Sequence, residues 1–221
     1  MTLVAIGSVV GAPGATSTAL ALARQHRGHV VLLEADPDGG RLGLRLNVDH
    51  RPGLVDLLTS ARDLPPDELF GWVQRPDPVS SAQVVAAHPS GDIVERALRS
   101  GVHDLVGVLA DAPFDVVCDV GRFRIDSPAA PLFAAAARRV IVTRGHLIEV
   151  AVLSHALERL RELGPVVLAI TGNGPYGAGE VGRALGVPAV GIPHEGTPGP
   201  GRRFLRAVDE LGAAVWSGVR P

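Results

Sequence analysis

The sequence predicts an α/β fold, a three-layer α/β/α sandwich around a mostly parallel sheet. Apolar runs rich in β-branched residues recur along the chain, and their nearly continuous hydrophobicity is typical of strands that are buried on both faces. Helical patterns lie between most of these runs. Aromatic residues make up only 4% of the chain, so Ala, Val, Leu and Ile must fill the core.

Seven runs predict strands, at residues 3–10, 29–35, 82–88, 114–120, 139–144, 165–171 and 187–192. Six periodic segments predict helices, at residues 16–26, 92–109, 129–137, 147–163, 178–185 and 202–217. Residues 49–81 are the least regular part, where PGLVDLL predicts a short helix and RPDPVSS a loop. Strands and helices therefore alternate along the chain.

Composition excludes several classes of protein. A net charge of -2 gives no general attraction to nucleic acid or anionic lipid. The single cysteine, Cys118, lies in an apolar run, which predicts a buried thiol and no disulfide. No apolar run reaches the ~18 residues that a membrane span needs, and the start of the chain lacks a basic leader region. We expect a cytoplasmic protein, free or held at the inner face of the membrane by a partner.

The stretch VVGAPGATSTALALA, residues 9–23, has the form of a phosphate-binding loop, in which a strand leads through a glycine-rich turn into a helix. Backbone N–H groups, the helix N-terminus, a lysine and a hydroxyl bind phosphate and magnesium in such loops. The candidate nucleotide-binding residues are Gly11, Ala12, Pro13, Gly14, Ala15, Thr16 and Ser17. The lysine is missing, since all 21 Lys and Arg residues of the chain are arginine. An ordinary strand-to-helix turn is the alternative interpretation.

Carboxylates follow two of the predicted strands. Glu34 lies at the end of the second run and Asp36 directly follows it, and Asp119 lies one residue before the end of FDVVCDV. An apolar strand that delivers a carboxylate to magnesium is typical of a Walker B motif. We expect the side chains of Glu34 and Asp36 to face the loop.

In chain order, VVGAPGATSTALALA, VLLEADPDGG, RPGLVDLL, FDVVCDVGR, VIVTRG and GNGPYGAGEVGRALGVPAVGIPHE resemble the ParA/MinD superfamily of deviant-Walker P-loop ATPases, of the SIMIBI class. Within it, the chain is similar to divergent actinobacterial MinD-like proteins and to the CpaE and TadZ types of Tad pilus systems. The resemblance covers essentially the whole chain and implies a single P-loop NTPase-like domain, residues 1–221.

The resemblance also implies a register for the loop. Matching TSTALALA to the family's run after the loop lysine places Ala15 at the phosphate lysine and Thr16 at the magnesium hydroxyl. Val10 then stands where the family's signature lysine reaches across the dimer. A register shifted by two places Ser17 and Thr18 at the lysine and the hydroxyl. Both registers lack the lysines.

Further roles come from the same resemblance. Asp36 matches the catalytic acid linked with the attacking water and with magnesium, and Asp119 matches the Walker B acid, a second magnesium ligand. Asn173 and Pro193 match positions near the adenine. Glu34 departs from the usual Asp.

The implied cofactor is ATP or ADP with magnesium. A charge-assisted hydrogen bond contributes roughly 1.5–3 kcal/mol, so loss of the loop lysine weakens phosphate binding about 10- to 100-fold, and hydrolysis depends on such charges still more. We therefore expect a pseudo-ATPase, a positioning or scaffold factor with weak or absent ATP hydrolysis. The implied partners are proteins of a pilus, secretion or cell-organisation system, and a homodimer would use a surface unlinked to ATP.

Two alternatives stay open. The chain is an active ATPase for partitioning, with an arginine such as Arg122 or a partner's residue replacing the lysine, or it is a fold relic that binds no nucleotide. The last predicted helix also has two interpretations. Its apolar face carries Phe204, Val208, Leu211 and Val215, which favours a helix docked on the sheet over a lipid-binding tail.

Overall fold

A computed structural model of the protein describes residues 1–11, 14–76, 82–193 and 201–217. Its seven strands are β1 (Leu3–Ser8), β2 (Val30–Glu34), β3 (Gln83–Val85), β4 (Asp115–Arg122), β5 (Arg138–Arg144), β6 (Val166–Thr171) and β7 (Ala189–Ile192). They form one sheet in the order β3-β2-β4-β1-β5-β6-β7, and every neighbouring pair is parallel. The predicted fold class and all seven predicted strands are confirmed.

The helices are α1 (Ala15–Gln25), α2 (Leu42–Leu46), α3 (Leu54–Ser60), α4 (Gly91–Ala110), α5 (Ala130–Ala135), α6 (Leu147–Glu162), α7 (Ala178–Leu185) and α8 (Arg202–Trp216). The six predicted helices and the short helix in PGLVDLL are confirmed. Helix α2 was not predicted, nor were two 3-10 segments at Ala61–Asp63 and Pro66–Trp72. Part of the predicted loop RPDPVSS, residues 77–81, lies outside the described residues.

Two apolar clusters cover the two faces of the sheet. One face packs against α3 to α7, and the other packs against α1, α2 and α8. Successive residues of a strand point to opposite faces, as in β1, where Leu3 and Ala5 belong to the first cluster and Val4 and Ile6 to the second. Because both faces are covered, the strands carry apolar residues at nearly every position.

Helix α8 is docked on the sheet. Phe204, Val208, Leu211 and Val215 are all at most 5% exposed and belong to the cluster that includes α1. The interpretation of α8 as a docked helix is therefore confirmed. Cys118 is also buried, as expected. Among the described residues, no helix is long and apolar enough to cross a membrane.

Strand order places the crevice for a ligand. β1 lies between β4 and β5, and the chain continues from β1 toward one edge of the sheet and later from β4 toward the other. In open parallel sheets, ligands bind outside the carboxyl ends of the strands at such a reversal. The segments that follow β1, β2 and β4 meet there.

Candidate functional site

The loop after β1 ends at Gly14, directly before the first residue of α1. Gly14 has φ +97, a left-handed conformation that glycine adopts without steric cost. It offers no side-chain acceptor to the N–H groups of the first turn, which suits a helix start that receives an anion. Gly11 is exposed, Ala15 is buried, and Ala12 and Pro13 lie outside the described residues.

Two threonines of α1 differ in what their hydroxyls contact. Thr18 is buried, and its Oγ1 donates a hydrogen bond of 2.9 Å to the carbonyl of Gly14, one turn earlier. Thr16 is half-buried, and its side chain interacts with the carboxyl group of Asp119. The structure thus brings Thr16, and not Thr18, beside the acid at the end of β4.

Asp119 is fully buried and only partly satisfied. Its Oδ1 accepts a hydrogen bond of 3.0 Å from the amide of Gly121. Its Oδ2 has no hydrogen-bond partner in the part of the chain that the structure describes. Burial raises the pKa of Asp119 to about 7, against the lowering effect of hydrogen bonds from Thr16 and Gly121. A buried carboxylate oxygen without a partner is costly unless a cation or a proton binds it.

Asp36 lies against the backbone just after Asp119. Gly121 has φ +62, and a Cβ added there would overlap the Asp36 carboxyl group. Asp36 Oδ1 accepts a hydrogen bond of 3.0 Å from the amide of Asp38, which fixes the turn after β2. Burial raises the pKa of Asp36, and the charge of Asp38 adds to this, against the lowering effects of the Asp38 amide and of the Arg41 charge.

This arrangement fits a magnesium ion. Mg²⁺ prefers oxygen ligands and is commonly held by one or two carboxylates together with phosphate oxygens. Thr16, Asp36 and Asp119 supply such oxygen atoms at the carboxyl ends of the strands. Oδ2 of Asp119, which has no hydrogen-bond partner among the described residues, could coordinate the ion.

The expectation that Glu34 faces the loop was wrong. Its Oε1 accepts hydrogen bonds from the amides of Arg41 and Leu42, at 2.7 and 2.9 Å. Its Oε2 accepts one of 3.0 Å from the amide of Ala87, beyond the end of β3. The longer side chain therefore reaches the start of α2, and Glu34, only 1% exposed, connects β2, α2 and β3.

The structure also places the other predicted positions. Val10 is half-buried, and Arg122 is the exposed last residue of β4. Asn173 is exposed after β6, and Pro193 directly follows β7. A hydrogen bond of 3.3 Å from Gly172 to the carbonyl of Ile192 joins these two strand ends. They lie on the β5 side of β1, opposite β4.

Two arginines at the start of α2 and within it were not among the predicted site residues. Arg41 precedes α2 and Arg45 lies one turn later, and both are exposed. Arg45 Nη1 donates a hydrogen bond of 2.8 Å to Oγ of Ser17, in the first turn of α1. Their i, i+4 spacing is the only sequence signal, and it has meaning only once α2 is known to be a helix.

Solved structures with the same fold include three ATPases. The septum site-determining protein MinD from Pyrococcus horikoshii, complexed with Mg-ADP, has a TM-score of 0.76 and 16% identity, covering 95% of each chain. A ParA family ATPase from Chlorobium tepidum has a TM-score of 0.73 and 19% identity over 88% of this chain and 84% of that one. The MinD cell division protein of Aquifex aeolicus has a TM-score of 0.70 and 13% identity, over 100% and 99%.

Searches with protein-family models and against curated protein sequences give no match. At identities below 20%, the structural likeness concerns the arrangement of the elements and not the residues of the site. The seven-stranded parallel sheet with helices on both faces is the P-loop fold of the ParA and MinD ATPases.

Proposed function

We propose that the protein is a nucleotide-binding positioning or scaffold factor with weak or absent ATP hydrolysis. The observation that carries this proposal is a contrast within one site. On the side that would bind magnesium, Asp119 is buried and one of its oxygens has no hydrogen-bond partner among the residues that the structure describes. The loop that would hold the phosphates has no lysine.

Each residue has a part in holding the nucleotide. The turn at Gly14 and the start of α1 would bind phosphate oxygens through backbone N–H groups. Thr16, Asp36 and Asp119 would hold magnesium, which when bound draws charge from the phosphate oxygens. Asn173 and Pro193 would lie toward the base. A cation would bind the ionised form of Asp119, so its binding would compete with protonation of this carboxylate.

The missing lysine should reduce the rate of hydrolysis more than it weakens nucleotide binding. Phosphoryl transfer depends on cationic groups that stabilise charge on the γ-phosphate, and such groups contribute about three to five powers of ten in rate. Ala15, at the position matched to the lysine, presents only a buried methyl group. Binding loses far less, since a single charge-assisted hydrogen bond is worth roughly 1.5–3 kcal/mol.

Protein partners are the second part of the proposal. Large apolar side chains are exposed in the segments that follow β2, β4, β5 and β6: Leu44, Ile125, Leu147, Ile148 and Tyr176, with exposed fractions of 40 to 88%. In parallel strands these segments share one edge of the sheet, the edge that carries the acids. Exposed apolar surface of this kind is typical of protein interfaces. A component of a pilus, secretion or cell-organisation system, or a second copy of the chain, would bind there.

The test is binding of a fluorescent ATP analogue with and without magnesium, followed by phosphate release. We expect the wild type to bind with magnesium and to release no phosphate at a sustained rate, and Ala15→Lys to bind about tenfold or more tightly. Absence of binding in both would refute the proposal and favour a fold relic.

The second candidate is a working partitioning ATPase. The specific observation in its favour is that the Asp36 carboxyl group packs against Gly121, two residues after Asp119. The charge of Arg41 also acts on the pKa of Asp36. Sustained phosphate release that Asp36→Asn abolishes would establish this candidate and overturn the first. Asp111→Asn, at an exposed carboxylate after α4, is the matched control and should leave the rate unchanged.

A further inference from the structure

A cavity of about 360 Å³ lies beside the end of β7 and the start of α8. Three arginines from the first two turns of α8 line it: Arg202, Arg203 and Arg206. The end of β7 contributes Gly191 and, directly after the strand, Pro193. The volume falls within the range of roughly 300–1,000 Å³ that is typical of small-molecule pockets. The cavity therefore combines the size of a ligand site with a concentration of positive charge.

The three guanidinium groups are exposed, and within the described part of the chain they have no hydrogen-bond or ion-pair partner. They do not pair even with Glu210, which lines the same cavity. Elsewhere on the surface, exposed arginines pair with carboxylates: Arg51, Arg62, Arg99, Arg124 and Arg144. The arginines of α8 are therefore available to bind an anionic ligand.

This arrangement of charge is unfavourable for the helix itself. Arg206 lies four residues after Arg202 and three after Arg203, and like charges at these spacings repel each other. Cations at the N-terminus of a helix are also disfavoured by the helix dipole. Helices α4, α6 and α7 have an acidic residue in the first turn, whereas α8 has none. The stability of α8 therefore does not explain the cluster, and a bound anion would offset the repulsion.

The net charge around the cavity indicates the class of anion. Its lining carries three arginines and one acidic residue, Glu210, which gives a formal charge of +2. A phosphomonoester carries about -1.5 to -2 at pH 7, whereas a single carboxylate carries half of that charge. The paired N–H donors of a guanidinium also match the oxygen atoms of a phosphate group. A phosphomonoester thus fits both the charge and the donors.

We propose that Arg202, Arg203 and Arg206 bind the phosphate group of a phosphorylated small molecule. The site is separate from the loop after β1, because β5 and β6 lie between β1 and β7. Neighbouring strands are about 4.8 Å apart, which places the ends of β1 and β7 roughly 14 Å from each other. Of the described candidate nucleotide-binding residues, only Pro193 lines the cavity. The inference goes beyond the proposed function and does not depend on it, since a phosphomonoester without a nucleoside should bind here.

The test is isothermal titration of the protein with phenyl phosphate, without nucleotide or magnesium and at constant ionic strength. We expect one equivalent to bind, and Arg203→Gln and Arg206→Gln each to weaken binding about tenfold or more, because each removes charge-assisted hydrogen bonds. Arg206→Lys should weaken it less, because the charge remains while the paired donors are lost. Arg62→Gln, at an exposed arginine that pairs with Asp104, is the matched control and should bind like the wild type.

A second measurement separates ligand binding from a structural role. Without ligand, Arg203→Gln and Arg206→Gln should melt at the same temperature as the wild type or at a higher one, because repulsion at the start of α8 is reduced. A clearly lower melting temperature would show that the arginines stabilise α8 and would overturn the inference.

Control ligands test the chemical class. Phenyl sulfate and benzoate, which carry a single negative charge, should bind about tenfold or more weakly than phenyl phosphate. Equal affinity for all three would indicate a general attraction of anions and would overturn the inference. Binding of a DNA duplex or of anionic vesicles without binding of phenyl phosphate would assign the arginines to an extended surface and would also overturn it. The same holds if phenyl phosphate does not bind, or binds the double variant Arg203→Gln/Arg206→Gln as tightly as the wild type.

Discussion

Removal of the Glu34 carboxylate should destabilise the protein strongly. Glu34→Ala leaves the amides of Leu42 and Ala87, both in buried hydrogen bonds, without an acceptor. Each unsatisfied buried donor costs about 1–3 kcal/mol, so these two together cost roughly 2–6 kcal/mol. The amide of Arg41 is only partly buried and recovers a bond to water. For a chain of this size, a loss of about 4 kcal/mol lowers the melting temperature by roughly 8–16 °C.

Urea unfolding of Glu34→Ala and Glu34→Gln measures this cost. Glutamine keeps Oε1 for Arg41 and Leu42 but turns an NH₂ group toward the Ala87 amide, so its loss should be smaller, about 1–3 kcal/mol. Glu95→Ala is the control, because Glu95 pairs only on the surface with Arg99 and its removal should cost less than ~1 kcal/mol. A Glu34→Ala protein as stable as the Glu95→Ala protein would contradict the structural role of this side chain.

Two further variants test the buried carboxyl group of Asp119 and the contact of Asp36 with Gly121. The pKa of Asp119 is raised from 3.8 to about 7, so its contribution to stability is complete below pH 3.8 and is lost as the pH rises through 7. The free energy of unfolding of Asp119→Asn, taken relative to that of the wild type, should therefore rise by about 3 kcal/mol from pH 5 to pH 8. Urea unfolding without magnesium measures this difference. A difference that does not depend on pH would show that the carboxyl group ionises normally. Gly121→Ala should cost about 2 kcal/mol or more, because the residue has φ +62 and its new Cβ would overlap the Asp36 carboxyl, whereas Gly107→Ala, on the exposed face of α4, should stabilise by roughly 0.5–1 kcal/mol. Equal thermal stability of the two glycine variants would argue against that placement of Asp36.

The sheet was predictable because its strands are buried on both faces. A run such as FDVVCDV has no amphipathic alternation that could be mistaken for a surface strand, and its burial is confirmed in β4. Asp36 follows β2 by two residues, whereas Asp119 lies inside β4, three residues before its last residue, and is fully buried there.

The direction of the Glu34 side chain was not predictable from its place in the chain. Glu34 is the last residue of β2, Asp36 follows two residues later, and their side chains differ by one methylene group. The Glu34 carboxylate accepts hydrogen bonds from three amides, whereas the Asp36 carboxylate packs against Gly121. What separates them is the position of α2 and the end of β3, which are tertiary features. Helix α2 itself has five residues, too few for a periodic pattern to appear.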